Sequence, residues 1–112
     1  MNNKVFIEGD SLPWEDAGEG VKRKILGYDN NLMMVDVNFC KDSIGYVHAH
    51  PHTQVTYVAK GKFEVEIDGQ KKILSQGDCF FIPPHAKHGV VCLEEGKLID
   101  VFTPYREDFV NK

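Results

Sequence analysis

The chain predicts an all-β, antiparallel fold, either a sandwich or a barrel of short strands. Three features carry that reading. Apolar and polar residues alternate with period two over Met34–Phe39 and again over Phe63–Ile67. The second run feeds straight into Asp68-Gly69, a strong hairpin signal. Gly and Pro then punctuate the chain at Gly45, Pro51, Gly61, Gly69, Gly77, Pro83-Pro84, Gly96 and Pro104.

Taken in order, Ser11–Gly20 reads as a loop-rich lead-in, with Trp14 expected as a core or interface anchor. A strand fits Val21–Leu26. In the next, Val35, Val37 and Phe39 share one face and Asp36 and Asn38 the other. Gln54–Ala59 and Phe63–Ile67 read as two strands separated by Gly61, and Ile73-Leu74 opens the return from the hairpin. Cys79–Ile82, Gly89–Leu93 and Leu98–Phe102 complete the set, and almost no helix is expected. Ligands in such a fold would come from every second residue of a strand.

The 112 residues make one domain, 1–112, with the barrel core at about 32–103, and 42% hydrophobic residues suffice for a small core. A formal charge of −4 argues against a nucleic-acid partner, which calls for a basic surface. No apolar run is long enough to span a membrane. The stretch Met1–Glu8 lacks the basic and apolar regions of a signal peptide, so the cytoplasm is the expected location. Cys40, Cys79 and Cys92 are odd in number and irregular in spacing. They predict reduced thiols packed as small apolar side chains, not a disulfide framework, with Cys92 close enough in sequence to His88 for a peripheral role.

The chemistry-bearing residues are histidines. His48 and His50 are spaced i, i+2, which puts both on one face of an extended strand. His88 arrives from a second strand-like segment. Three imidazoles converging from two strands can hold a metal and leave positions open for a substrate. His52 shares the parity of His50 but follows Pro51, so it is expected beside the ligand set or on the rim. His85, in the Pro83–Ala86 loop, is expected in solvent.

The spacing Gly45-x2-His48-x-His50-x3-Gln54-x6-Gly61 resembles the first motif of the cupin superfamily. Gly77-Asp78-x4-Pro83-x4-His88 resembles the second, and fifteen residues separate Gly61 from Gly77. The resemblance implies a single-domain, double-stranded β-barrel of jelly-roll type. One divalent transition metal (nickel, zinc, manganese, iron or cobalt) would sit near its open end on His48, His50, Gln54 and His88. Cupins usually carry Glu where this chain has Gln54. A neutral amide leaves the ion its full charge, which favours an anionic, oxygen-rich ligand. It also removes the two-histidine, one-carboxylate pattern of dioxygen chemistry.

The last strand sets Asp100 in line with Leu98 and Phe102, with Ile99 and Val101 opposite. Two readings stand. Asp100 points inward, where a carboxylate is costly unless paired or functional and its pKa rises, or it faces solvent at a strand edge. Arg106, one of only two arginines, either grips an acidic ligand or merely pairs with Asp100, Glu107 or Asp108.

Gly20–Ile25, the His50-Pro51-His52-x-Gln54 stretch, Gly61–Glu64 and Asp100–Asp108 are together similar to the uronate-linearising cupins of the pectin-degradation KdgF type. That resemblance, from about Trp14 to Phe109, implies catalytic or substrate-contacting roles for Asp100, Phe102 and Arg106. It implies ring opening and tautomerisation of 4,5-unsaturated monouronates from pectin or alginate to the open-chain 5-keto-4-deoxyuronate. The partner would be a small acidic sugar. Other readings are a non-catalytic sugar-acid-binding cupin and a metal-dependent isomerase or dioxygenase of another small molecule. Cupin barrels commonly dimerise through edge strands, and Val5–Ile7 would serve in a homodimer.

Overall fold

Two long strands organise the molecule. The computed structural model describes residues 5–111. Its elements are a 3-10 turn at Gly9–Ser11, strands β1 (Glu15–Gly18), β2 (Val21–Tyr28), β3 (Met33–Phe39), β4 (Ile44–His48), β5 (Thr53–Ile67), β6 (Gln70–Ser75), β7 (Cys79–Ile82) and β8 (His88–Thr103), and a short helix α1 (Glu107–Val110). All pairings are antiparallel. The strands run β1-β2-β3-β8-β5-β6, with β4 added on β8 and β7 on β5.

Strands β5 and β8 pair along nearly their whole length, from Thr53↔Thr103 to Ile67↔His88. The first half of β5 also pairs β7, and its second half pairs β6. Likewise β8 serves β4 with its first half and β3 with its second. Each long strand thus belongs to both layers of a jelly roll.

Where the sequence suggests breaks at Gly61 and Gly96, the structure keeps one strand on each side and shifts the register instead. The physical reason is close backbone approach. Gly61 has φ +86, and a Cβ there would lie 2.6 Å from the carbonyl oxygens of Glu94 and Glu95. At Gly96 a Cβ would lie 2.5 Å from the Lys60 carbonyl oxygen. Glycine lets the strand bend from one layer into the other without ending.

The alternation expected of β3 is present: Val35, Val37 and Phe39 are buried. Phe63 and Val65 of β5 and Leu98 and Phe102 of β8 meet them in the core. Phe39 and Phe63 pack edge-on at 5.2 Å.

Three expectations need correction. Only Cys92 packs as a small apolar side chain; Cys40 and Cys79 are exposed, because each sits at a strand end or on an outward position. Trp14 is not a core anchor. It is 40% exposed, with the Lys24 ammonium 4.4 Å above its ring. Val5 and Phe6 form a bend, not a strand, and are solvent-exposed. Among the described residues no helix is long and apolar enough to cross a membrane.

Candidate metal centre

Strands β4 and β8 bring the first two histidines together by register, since His48 pairs directly with His88. Beyond His48 the strand ends, and Ala49–His52 form a loop. That loop is pinned where the His85 amide donates to the His50 carbonyl at 2.8 Å. Ring centroids lie 4.4 Å apart for His48–His88, 4.7 Å for His50–His88 and 5.6 Å for His48–His50. One ring nitrogen from each falls within 4.8 Å of the other two.

Backbone carbonyls set the tautomers. His48 Nδ1 lies 2.9 Å from the Tyr46 carbonyl oxygen, and His88 Nδ1 lies 2.9 Å from that of Ala86. With a proton on each Nδ1, the Nε2 atoms carry lone pairs. His88 Nε2 is buried and has no hydrogen-bond partner among the described residues. Such an atom is expensive to leave unmet, and a cation would satisfy it. Burial holds the His88 imidazole down at about 4, with the neighbouring His48, His50 and Arg106 charges adding to the effect. Burial likewise lowers His50, against the pull of Gln54. Both rings are therefore neutral at physiological pH, as ligands must be.

Gln54, at the start of β5, stands beside the three imidazoles. Its Oε1 lies 2.9 Å from His50 Nε2. Donors at right angles around one ion, with bonds of about 2.1 Å, stand about 3 Å apart. The residues present fit a divalent metal: three imidazoles and one amide oxygen.

Next to the cage, Asp100 points inward from β8, so the solvent-facing reading is excluded. Its Oδ1 accepts from Thr56 Oγ1 at 2.7 Å and from Gln54 Nε2 at 3.3 Å. Burial pushes this carboxyl up to about 6, although Thr56, Arg106 and Gln54 all favour its charged form. Phe102, two residues on, is 2% exposed. His50, Phe109 and the Arg106 guanidinium pack around it at 5.7, 5.9 and 5.1 Å. It is a wall behind the site and offers little open ring to a sugar. Arg106 grips Asp108 through Nε and Nη2 at 3.0 and 2.9 Å. Of the three pairings open to it in the sequence, this fork is the one made, and it holds Asp108 below the usual carboxylate range.

His48, Gln54, His88, Asp100, Phe102 and Arg106 border one cavity of about 370 Å³. His52 sits beside the ligand set, as expected: its ring packs edge-on against His50 with centroids 5.3 Å apart, while its Nε2 lies 3.1 Å from the Tyr105 carbonyl oxygen; His85 is exposed. Cys92 is packed in the core, its thiol 3.0 Å from the Glu94 carbonyl oxygen. Three residues at the site escape the sequence reading. Thr56 shares strand parity with Gln54, and that signal could have found it. Arg23, which pairs with Glu15 at 2.6 Å and lies 3.7 Å over the Phe109 ring, has no local signature. Neither does Phe109, which packs against Phe102 and against both guanidinium groups.

Comparison with known proteins agrees with this geometry. Residues 37–102 match the cupin domain model. The pectin degradation protein KdgF of Dickeya dadantii is 50% identical over 109 residues, 96% of this chain and 98% of that one. An RmlC-like cupin from Shewanella frigidimarina superposes with a TM-score of 0.92 at 50% identity, covering 96% of both chains. The structure of KdgF from Halomonas sp. gives 0.90 at 40% identity over 96% of this chain and 99% of that one. The chain belongs to the cupin family and, within it, to the group of the pectin degradation protein KdgF.

Proposed function

We propose that the protein opens the ring of 4,5-unsaturated monouronates, giving the open-chain 5-keto-4-deoxyuronate. The observation that carries this reading is an inward carboxyl, hydrogen-bonded to Thr56 and Gln54, beside a cluster of three imidazoles and one amide oxygen. Such a substrate is a cyclic hemiacetal with a C4–C5 double bond and a carboxylate on C5. Breaking the bond from C1 to the ring oxygen leaves an aldehyde at C1 and an enol at C5. The enol becomes a ketone when C4 takes a proton, so the reaction is an isomerisation and needs no co-reactant.

A divalent ion held by His48, His50, Gln54 and His88 would supply Lewis acidity toward an anionic, oxygen-rich ligand. The protein's own groups do the rest. Arg106, steadied by Asp108, presents its remaining donors to the substrate carboxylate. Asp100 moves the proton, either taking it from the C1 hydroxyl or delivering it to C4, and a pKa near 6 allows both directions near neutrality. Phe102 backs His50 and Arg106 and excludes water behind them.

The test is proton magnetic resonance of an unsaturated monouronate mixed with metal-loaded protein. The C4 vinyl signal should vanish faster than in buffer as open-chain product signals grow. Binding with no acceleration would leave a sugar-acid-binding protein and refute the catalytic role.

We also propose a homodimer. Two registered rows cross the outer sheet face, Met34–Val101–Val55–Phe81 and Asp36–Ile99–Tyr57–Cys79. Met34, Val55, Tyr57 and Phe81 of these rows are exposed and form one contiguous apolar patch, the kind of surface that marks a contact between proteins. Light scattering should give twice the chain mass, and Phe81→Lys should return it to one. A cytoplasmic setting accords with three unpaired thiols.

A further inference from the structure

We propose that Thr56 is the positioning residue that turns Gln54 the right way round. It rests on the reading above, in which Gln54 holds a metal. The two ends of a glutamine amide are almost the same size, so shape alone does not decide which faces the imidazoles. If Nε2 faced inward, it would present hydrogens to the cage and contribute no ligand. Something outside the cage must break the tie.

Thr56 lies on the same face of β5, two residues from Gln54, and is fully buried at 0% exposure. As a β-branched residue on a strand it has a restricted χ1, so its hydroxyl is held in place. The hydroxyl has one proton, and Asp100 Oδ1 takes it at 2.7 Å. Its lone pairs are then left for Gln54, whose Nε2 donates to it at 2.9 Å. The polarity runs one way: Gln54 amide hydrogens toward Thr56, Thr56 proton toward Asp100, and Gln54 Oε1 inward to His50. Asp100 also touches Gln54 Nε2 directly, but at 3.3 Å. The shorter contact comes from the hydroxyl. A buried hydroxyl that merely needed a partner would be content with Asp100 alone; here both of its roles are filled, and filled in the sense that points an oxygen at the cage.

The experiment is zinc affinity, measured by competition with a chromophoric chelator. It is run on wild type, Thr56→Val, Thr56→Ser, Gln54→Ala and the Gln54→Ala/Thr56→Val pair. Removing a hydrogen-bond partner behind a ligand typically costs about 10- to 100-fold in metal affinity, and Thr56→Val should weaken zinc binding by that factor. Thr56→Ser keeps the hydroxyl and should stay within about threefold of wild type. In the Gln54→Ala background the valine substitution should change affinity by less than about twofold, because there is no amide left to orient. Thr56→Val with wild-type affinity, or an undiminished valine effect without Gln54, would overturn the proposal. Wild type that fails to bind zinc would remove the metal reading and this inference with it. That outcome is distinct from wild type binding tightly while Thr56→Val binds equally well. If the valine variant does not fold, the zinc-loaded wild type decides: the Gln54 side-chain NH₂ protons should show a nuclear Overhauser effect to Thr56, and its absence would overturn the proposal.

Discussion

Two cavities of the described residues differ in character, and the larger of the two is the less interesting. It encloses about 640 Å³ between Trp14, Lys22, Lys60, Glu95 and Lys97. The smaller, about 370 Å³, holds Gln54, His88, Asp100 and Arg106. Gly18, Val21 and Phe39 border both. In the larger cavity the charges meet one another in water: Lys60 reaches Glu95 at 3.5 Å, and both side chains are mostly exposed. Pairs of this kind contribute little to stability. In the smaller, a buried imidazole nitrogen has no partner among the described residues, and burial holds a carboxyl well above its ordinary range. Volume marks where a ligand fits. Unmet polar demand marks where one is needed.

The sharpest way to break this contrast is His88→Ala. It removes the imidazole that the long strand itself supplies to the proposed metal site, and metal affinity should fall at least about a hundredfold. Elemental analysis after dialysis checks it; full retention would show that His88 is no ligand.

Asp100→Asn should slow turnover by about 10²- to 10⁴-fold while the barrel stays folded. The same variant exposes the cost of the carboxyl. The native pKa of about 6 lies above the ordinary value of 3.8. Between those two values the native state holds more protons than the unfolded one, so this group's contribution to stability falls as pH rises. In metal-free protein Asp100→Asn should therefore gain on wild type from pH 4 to pH 7, by up to about 3 kcal/mol. At pH 4 and below the gain should be absent. Urea unfolding at the two pH values reads it directly. His50 and His88 run the opposite way, their lowered pKa values favouring the fold as pH rises, but they are common to both proteins and cancel in the comparison.

Arg106→Lys keeps the charge and loses the fork. Its kcat/KM should fall by about tenfold, the lower end for a charged hydrogen bond, and mostly through KM. Smallest of all in its effect on activity, Trp14→Ala in the larger cavity should leave turnover within about twofold, while loss of the contact with Lys24 costs about 1 kcal/mol of stability. A large loss of activity there would erase the distinction between the two cavities.

Much of the fold and of the site is legible in the amino-acid sequence. Period-two alternation places Val35, Val37, Phe39, Phe63 and Val65 inward, and two motifs pick out His48, His50, Gln54 and His88. The errors have a common cause. Gly61 and Gly96 read as breaks because glycine usually marks a turn, yet here each admits a neighbouring carbonyl oxygen to a continuous strand. Local sequence does not report what crosses behind a residue. The same blindness hides Arg23 and Phe109, which meet at the site from distant parts of the chain. It also leaves the direction of Asp100 undecided, since a strand's parity names two faces without saying which one is inside.

The most direct test of the central claim follows the ultraviolet absorbance of the conjugated double bond in an unsaturated monouronate. Protein first stripped of metal and then reloaded with a divalent ion should erase that absorbance far faster than buffer, and the stripped protein should not. A reloaded, folded protein that leaves the absorbance decaying at the rate of buffer would contradict the account.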